Sequence, residues 1–333
     1  MTLDRLALSR STLDRAAERR NLPGHLDAVL ADPAAAVLLV DGDQAPVSTG
    51  GEGPVLALVD PATALAFADK AWSDVRVERL YLGRDDADGR EYVALARTVP
   101  PLKGSGLPKV PPGVPEQPEH ALPGTRWAGL REVGTLLDDT AAGLLTATVA
   151  MARWHAGHPF CSRCGTATEP VQSGWARQCP NCGAEHYPRT DGAVIMVIVD
   201  DDGRILLGRQ ARWPERRYSC LAGFVEPGES LEAAVRREAR EESGVVVGEV
   251  EYRGSQPWPF PASLMLGFRA RAVTTAITVD GEELASARWW TREELALDVA
   301  TGELLLPPPV SIARRLVEDW FGGPLRDGVD GWR

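Results

Sequence analysis

No apolar run in this 333-residue chain reaches the roughly 18–20 residues that a membrane-crossing helix needs. The longest candidate, near Ala28 to Val40, is broken by Asp32 and Pro33, so no membrane association is expected. The first ten residues carry Asp4 and no apolar core of the signal-peptide kind, so no signal peptide is expected. Cysteine is scarce. Five residues do not make a disulfide scaffold, and the expected compartment is a reducing cytoplasm. Net positive charge is missing too. Thirty-six Lys and Arg against 47 Asp and Glu leave −11, which argues against broad binding to nucleic acid or anionic membranes. It leaves room for a small site that takes a phosphorylated ligand through a bridging cation. What is present is a hydrophobic fraction of 44% and a charged fraction of 25%. That composition builds real cores, and the length suits two or three domains.

The first 98 or so residues read as globular. Ala36 to Val40 and Val55 to Val59 are apolar runs bounded by Asp, Gly and Pro, as buried strands are. This part holds no chemical constellation, and its one histidine, His25, reads as a surface residue. Residues 100 to 123 contain eight prolines and three glycines, which predicts an extended connector. A helical pattern follows from Glu132 to Trp154, with Leu136, Leu137, Leu144, Leu145 and Val149 at its apolar positions. There is no internal repeat.

Four of the cysteines fall within 22 residues. Cys161 and Cys164 form one Cys-x-x-Cys pair, Cys179 and Cys182 another, and each pair is followed by a glycine, Gly165 or Gly183. Such a turn sets two thiolates on one side of a tight loop, and glycine permits the positive φ that closes it. Two of these knuckles complete a tetrahedron around one Zn²⁺. Four thiolates leave no open position, so this zinc is structural. The alternatives are a redox dithiol or another metal cluster. The segment from Arg153 to Arg189 has four arginines, two glutamates and no lysine. With a formally −2 metal cluster it is not notably basic, which favours a structural role over nucleic-acid binding. Cys220 stands apart and reads as a small buried apolar residue.

The sharpest feature runs from Gly223 to Val245. The stretch from Gly223 to Gly228 is loop, Ser230 is a candidate N-cap, a helix covers Leu231 to Glu242, and Gly244 ends it. At 100° per residue Leu231, Ala234, Val235 and Ala239 form the core-facing stripe. Glu238 and Glu242 fall within that stripe and Glu241 lies at its border. Carboxylates three and four residues apart repel one another, and burial raises the cost. Arg237 points away from the centre of the stripe and cannot neutralise all three. Divalent cations can, and oxygen-only ligands suit Mg²⁺ or Mn²⁺. The segment resembles the Nudix box, Gly-x₅-Glu-x₇-Arg-Glu-U-x-Glu-Glu-x-Gly-U with U aliphatic or similarly apolar. Gly223, Glu229, Arg237, Glu238, Glu241, Glu242 and Gly244 stand at its fixed positions, with Ala239 and Val245 at the two U positions. The resemblance implies metal-dependent hydrolysis of a nucleoside diphosphate linked to another group. A carboxylate then accepts the proton of a metal-activated water.

Past the box comes Ser255-Gln256-Pro257-Trp258-Pro259-Phe260-Pro261-Ala262-Ser263, three prolines stiffening a loop that offers flat rings, an amide and a hydroxyl. Such groups suit a planar nucleobase or nicotinamide. This motif, with the four-cysteine ribbon before the box, resembles the NADH pyrophosphatase subfamily of Nudix hydrolases. The resemblance implies catalytic metal at Glu238 and Glu242, at the Ala222 carbonyl and at a downstream glutamate. Glu283 is the best match for that glutamate, with Glu282 beside it. Glu241 is a further ligand or the base. Substrate contacts are implied at Tyr187, Ile195, Phe224, Gln256, Pro257, Trp258, Pro259, Phe260, Pro261, Ala262, Ser263 and Ala313. A homodimer is implied as well. The expected reaction splits NADH or NAD⁺ into nicotinamide mononucleotide and AMP, and removal of NAD caps from RNA 5′ ends uses the same bond. The alternatives are another dinucleotide such as ADP-ribose or FAD, and a silent nucleotide sensor. Four arginines before the box, Arg209, Arg212, Arg216 and Arg217, either guide a phosphate or form a solvated loop.

The fold class expected is α/β (α+β). An N-terminal mixed α/β domain with its connector covers 1–125, a connecting helix 126–157 and the zinc ribbon 158–188. A Nudix α/β/α sandwich with a mixed sheet covers 189–322. Val194 to Val199 and Ile205 to Leu207 are its first predicted strands.

Overall fold

In the computed structural model, residues 3–48, 51, 53–73, 75–98, 121–279 and 281–327 are described. Most of the proline-rich connector therefore lies outside the described residues. The chain divides into two compact units. One holds residues 10–190 together with Pro259–Ala262, and the other holds residues 3–9, Asp191–Trp258 and 263–327.

The first unit contains a five-stranded mixed sheet. Its strands are β1 (Ala36–Asp41), β2 (Gln44–Ser48), β3 (Val77–Arg84), β4 (Glu91–Arg97) and β5 (Thr125–Gly129), in the order β3-β4-β1-β2-β5. Strand β1 runs parallel to β4, and the remaining neighbours are antiparallel. Helices α1 (His25–Ala31) and α2 (Pro61–Ala71) cover one face, where Val29, Ala64 and Ala68 meet Val37, Leu39, Val93 and Trp127. Asp60 caps α2 by accepting from the Thr63 N–H, and Pro61 sits at its first turn. The run from Val55 to Val59 is not a strand. It makes only isolated bridges, Leu56 to Val47 and Val59 to Val37, and Val55 is exposed. His25 is not a free surface residue: its ring stands edge-on to Tyr81 with centroids 4.8 Å apart.

The single helix expected from Glu132 to Trp154 is two helices. A short α3 (Leu130–Val133) ends at Gly134, and α4 (Asp139–Gly157) starts afresh with Asp138 as N-cap, accepting from the Ala141 N–H. The cap and the turn before it override the apolar period, and Leu136 falls in that turn and is exposed. Helix α4 is buried along most of its length because small residues alternate with Leu144, Leu145, Val149 and Met151.

The ribbon is a three-stranded antiparallel sheet of β6 (Glu169–Val171), β7 (Ala176–Gln178) and β8 (Glu185–His186). Trp175 donates from its indole nitrogen to the Tyr81 carbonyl at 2.6 Å. Arg177 is wholly buried. It donates to the Thr168 hydroxyl and carbonyl, to His155 Nδ1 at 2.9 Å and to Glu78 at 3.3 Å. His155 Nε2 lies 2.8 Å from the Gly174 carbonyl, so that nitrogen carries the hydrogen and Nδ1 accepts. Burial pushes the His155 pKa down, in keeping with a neutral ring.

The second unit is the α/β/α sandwich. Its mixed sheet runs β12 (Val247–Trp258), β13 (Ser263–Ala272), β9 (Asp191–Val199), β10 (Ile205–Gln210) and β14 (Leu284–Trp290), and β11 (Leu221–Phe224) pairs with β9. Strands β9 and β13 are parallel. Successive β9 residues serve opposite faces, as the twofold period of a strand requires. Ile195, Val197 and Val199 pack with Ile312, Leu316 and Val317 of α7 (Ile312–Phe321) and with Leu295 and Val299 of α6 (Arg292–Thr301). Val194, Met196 and Ile198 pack with Ala234, Val235 and Ala239 of α5 (Leu231–Ser243). Leu6 joins the α7 face. Cys220 is buried there, as expected.

Replacing Glu78 by Ala should leave the buried Arg177 guanidinium short of its carboxylate. We expect a loss of about 3 kcal/mol, read as a lower urea midpoint for the unfolding of the first unit.

Candidate active site

The box folds as its residues require. Ser230 caps α5 by accepting from the Ala233 N–H, and Gly244 ends the helix in the left-handed region at φ 72°. Leu231, Ala234, Val235 and Ala239 face the core. On the same side Glu238 is 8% exposed and Glu242 4%, whereas the Glu241 side chain is 61% exposed at the border.

Strand β11 brings the start of the box alongside. Gly223 pairs with Val194, and Ala222 with Ile195. A Cβ placed on Gly223 would overlap the Glu238 carboxyl group, so glycine is needed there for space rather than for a turn. Arg237 ties the box together. It donates to Glu229 Oε1 at 2.6 Å, to Glu238 at 2.7 Å, to Glu241 at 3.1 Å and to the Phe224 carbonyl at 2.8 Å. It therefore reaches two of the three helix carboxylates and not all three, as the sequence pattern implies. The Arg237 guanidinium, followed by the Glu226 N–H, holds Glu229 below its usual pKa. Glu238 goes the other way. Desolvation pushes its pKa up in spite of Arg237, with Glu241 and Glu283 adding repulsion.

These groups open onto a cavity of about 800 Å³. Six carboxylates line it, from Glu226, Glu238, Glu241, Glu242, Glu282 and Glu283, with the guanidiniums of Arg237 and Arg212. Ala222, Gly223, Phe224, Ser263 and Met265 also line it. An oxygen-only set of this density, with two carboxylates buried beside a glycine cradle, fits hard divalent cations. Both candidates for the downstream glutamate, Glu282 and Glu283, line the cavity. Glu283 is the one whose charge is felt at Glu238.

The structure gathers some of the implied substrate positions and leaves others apart. Phe224, 59% exposed, and Ser263 line the cavity. Ile195 and Ala313 are buried in the core beside α7. Gln256 is fully buried. Its amide donates to the Val310 carbonyl at 2.9 Å and accepts from the Leu8 N–H, so it fastens the β12 end rather than facing the cavity. Pro257 and Trp258 are half-buried at the end of β12 and are not among the lining residues. Pro259, Phe260, Pro261 and Ala262 group with the first unit, where the Phe260 ring is covered by Arg131 at 4.0 Å and Arg153 at 5.1 Å. Tyr187 is exposed and donates to Glu185 in that unit. The cavity carboxylate that sequence reading missed is Glu226. It sits in the loop between box positions, where no periodicity marks a face.

In the first unit the thiols of Cys161, Cys164, Cys179 and Cys182 lie within 4.8 Å of one another, as one tetrahedral metal ion requires. Gly165 at φ 75° and Gly183 at φ 70° close the knuckles as predicted. The Thr166 hydroxyl, its N–H and the Asn181 amide hold the Cys164 thiol down at about 5.

Comparison with known proteins agrees with this geometry. The NUDIX domain model matches residues 189–306, and the NADH pyrophosphatase zinc ribbon domain model matches residues 156–187. The chain belongs to the Nudix hydrolases, in the group that carries this zinc ribbon. It is 38% identical over 323 residues to the NAD-capped RNA hydrolase NudC of Mycobacterium bovis and to that of Mycobacterium tuberculosis, covering 94% of this chain and 94% of each relative. It is 45% identical over 198 residues to the human NAD-capped RNA hydrolase NUDT12, covering 56% of this chain and 43% of that protein. Among solved structures, a NUDIX hydrolase from Nitrosomonas europaea is 24% identical with a TM-score of 0.40, over 50% of this chain and 94% of that one.

A raised carboxylate pKa means that the folded state holds its proton more tightly than the unfolded chain does. The metal-free protein then loses stability as pH rises from the ordinary glutamate value through the raised one, and does not regain it above. Glu238→Gln removes this loss. With a chelator present, the variant should melt higher than the parent at pH 7, and the two should converge below pH 4.5, the ordinary value for the group, in scanning calorimetry.

Proposed function

We propose that the chain hydrolyses the pyrophosphate of NADH and NAD⁺, giving nicotinamide mononucleotide and AMP, and removes NAD from the 5′ ends of RNA that carry it as a cap. The observation that carries this reading is the pair of buried carboxylates, Glu238 beside Gly223 and Glu242, in a cavity with Glu282 and Glu283. The relatives named as NAD-capped RNA hydrolases, which match over nearly the whole chain, support the choice of substrate.

Mg²⁺ or Mn²⁺ would be held by Glu238, Glu242, the Ala222 carbonyl and Glu283, with Glu241 or Glu282 as further donors. When bound, it supplies shielding of the diphosphate charge and an acidified water. The chain supplies the rest. Hydrolysis joins a water oxygen to one phosphorus, breaks the bridging P–O bond, and needs an acceptor for the water proton. Glu241 is our assignment for that acceptor. It is the box carboxylate most open to solvent, and Arg237 fixes it at 3.1 Å. Arg237 also fixes Glu238 and spans to the Phe224 carbonyl, which links the carboxylates to the backbone that carries the exposed Phe224 ring. That ring offers a flat apolar face for a nicotinamide or adenine base, and the Ser263 hydroxyl offers a hydrogen bond. The four cysteines are assigned to structural Zn²⁺, and the protein to a homodimer in the cytoplasm.

Incubation with NADH, NAD⁺, ADP-ribose and NAD-capped RNA in Mg²⁺ or Mn²⁺, with products identified by mass, tests the reading. AMP and reduced nicotinamide mononucleotide should appear from NADH, and Glu242→Gln should lower the rate by at least about a hundredfold. Turnover of none of the four by folded, zinc-loaded protein would move the weight to a nucleotide sensor. Preference for ADP-ribose would reassign the substrate. Cys161→Ser should lower the zinc content measured by atomic absorption and destabilise the ribbon, because structural zinc contributes to folding.

A further inference from the structure

Of the four arginines before the box, two are bonded away from the cavity and a third does not line it. Arg209 donates to the Ser286 hydroxyl at 3.3 Å and to the Trp213 carbonyl at 3.2 Å. Arg216 donates to the Gly302 carbonyl at 2.9 Å, and the backbone at Arg217 bridges to Leu305. Arg212 alone of the four lines the cavity.

Its placement is built. The β10–β14 register shifts between Arg209 and Gln210, a bulge of the kind that re-aims side chains beside active sites. Past the bulge the chain turns. The Trp213 N–H donates to the Gln210 carbonyl at 2.9 Å, and the Ala211 N–H donates to the Glu283 carbonyl at 3.1 Å. The second bond ties this turn to the loop that carries Glu282 and Glu283. Arg212 Nε donates to the Gln210 side-chain oxygen at 3.0 Å, which orients the exposed guanidinium, and among the described residues its two outer nitrogens take no other partner.

Charge decides what those nitrogens are for. Six carboxylates line the cavity against two guanidiniums, and Arg237 already spends all three of its nitrogens on Glu229, Glu238, Glu241 and the Phe224 carbonyl. An incoming diphosphate meets a strongly negative wall, and Arg237 has no donor left for it. A planar guanidinium with its outer donors open matches phosphate oxygens in a fork.

We propose that Arg212 is the side chain that takes the non-bridging phosphate oxygens of the substrate, opposite the carboxylates. This rests on the pyrophosphatase reading for its substrate, but its ligand chemistry is a phosphoryl group of any nucleotide. Arg212 binds substrate directly, and it holds neither the metal ligands nor the fold.

The test uses full-length protein, Arg212→Ala and Arg212→Lys. NADH turnover is measured over a range of Mg²⁺, and AMP binding is measured by calorimetry in Mg²⁺. Losing a charge-assisted bond should cost Arg212→Ala about tenfold or more in both kcat/KM and AMP affinity. Arg212→Lys should recover part of each. The Mg²⁺ concentration for half-activation and the melting temperature should stay at the parental values. AMP binding and turnover within about twofold of the parent in Arg212→Ala would overturn the proposal. So would a loss accompanied by a shifted Mg²⁺ requirement, because the turn would then be acting through Glu283. If the parent binds AMP but leaves NADH intact, the pyrophosphatase reading fails and the AMP comparison alone decides the role of Arg212. If the parent binds no AMP and turns over no NADH, both are lost.

Discussion

The constraint on which the second unit turns is the burial of carboxylates of one sign on the core-facing side of α5. A helix normally keeps charge away from that face. Here Glu238 and Glu242 share it with Ala234, Val235 and Ala239, which are buried against the sheet. Apolar packing supplies the stability, and the like charges draw on it. Arg237 offsets part of the repulsion, and the divalent cation of the proposed function would complete the balance. The site is thus held in a strained electrostatic state by a core that would be happier without it, which is common where function overrides local rules.

Much of this could be read from residue order. The inward position of Glu238 and Glu242 follows from a 100° step, and the Ser230 cap and Gly244 stop follow from local hydrogen bonding and backbone freedom. The cysteine knuckles were legible for the same reason, since their geometry is set within four residues. Strands β9 and β10 were visible as apolar runs of the right length. What failed involved competition between nearby signals. Asp138 captured the Ala141 N–H and started a helix where the apolar period ran straight through. The Val55–Val59 run has strand composition but makes only two bridges.

Long-range placement was the part that sequence could not supply. Nothing around Gln256 says that its amide will be spent on Leu8 and Val310. Phe260 looks like a ligand platform, yet two guanidiniums cover its ring within the first unit. The four arginines before the box are alike in composition, and a register shift after Arg209 together with the contacts of Arg216 and Arg217 to the Gly302–Leu305 stretch sets Arg212 apart. In each case the deciding contact comes from a residue tens of positions away or from a change of register.

Strand β9 is apolar on both faces, so burial alone does not choose its register. A half-polar strand that slips by one residue exposes its core face and pays at once, whereas Val194 to Val199 would find hydrocarbon on either side. Gly223 supplies the missing discrimination. It is the residue of β11 that faces the Glu238 carboxyl group, and a slip by one would bring Ala222 or Phe224, each with a Cβ, into space that has no room for one. The contact that shapes the cavity therefore also fixes the register of β11 on β9, and a strand pair out of register could not hold the Glu238 carboxyl group where the site needs it.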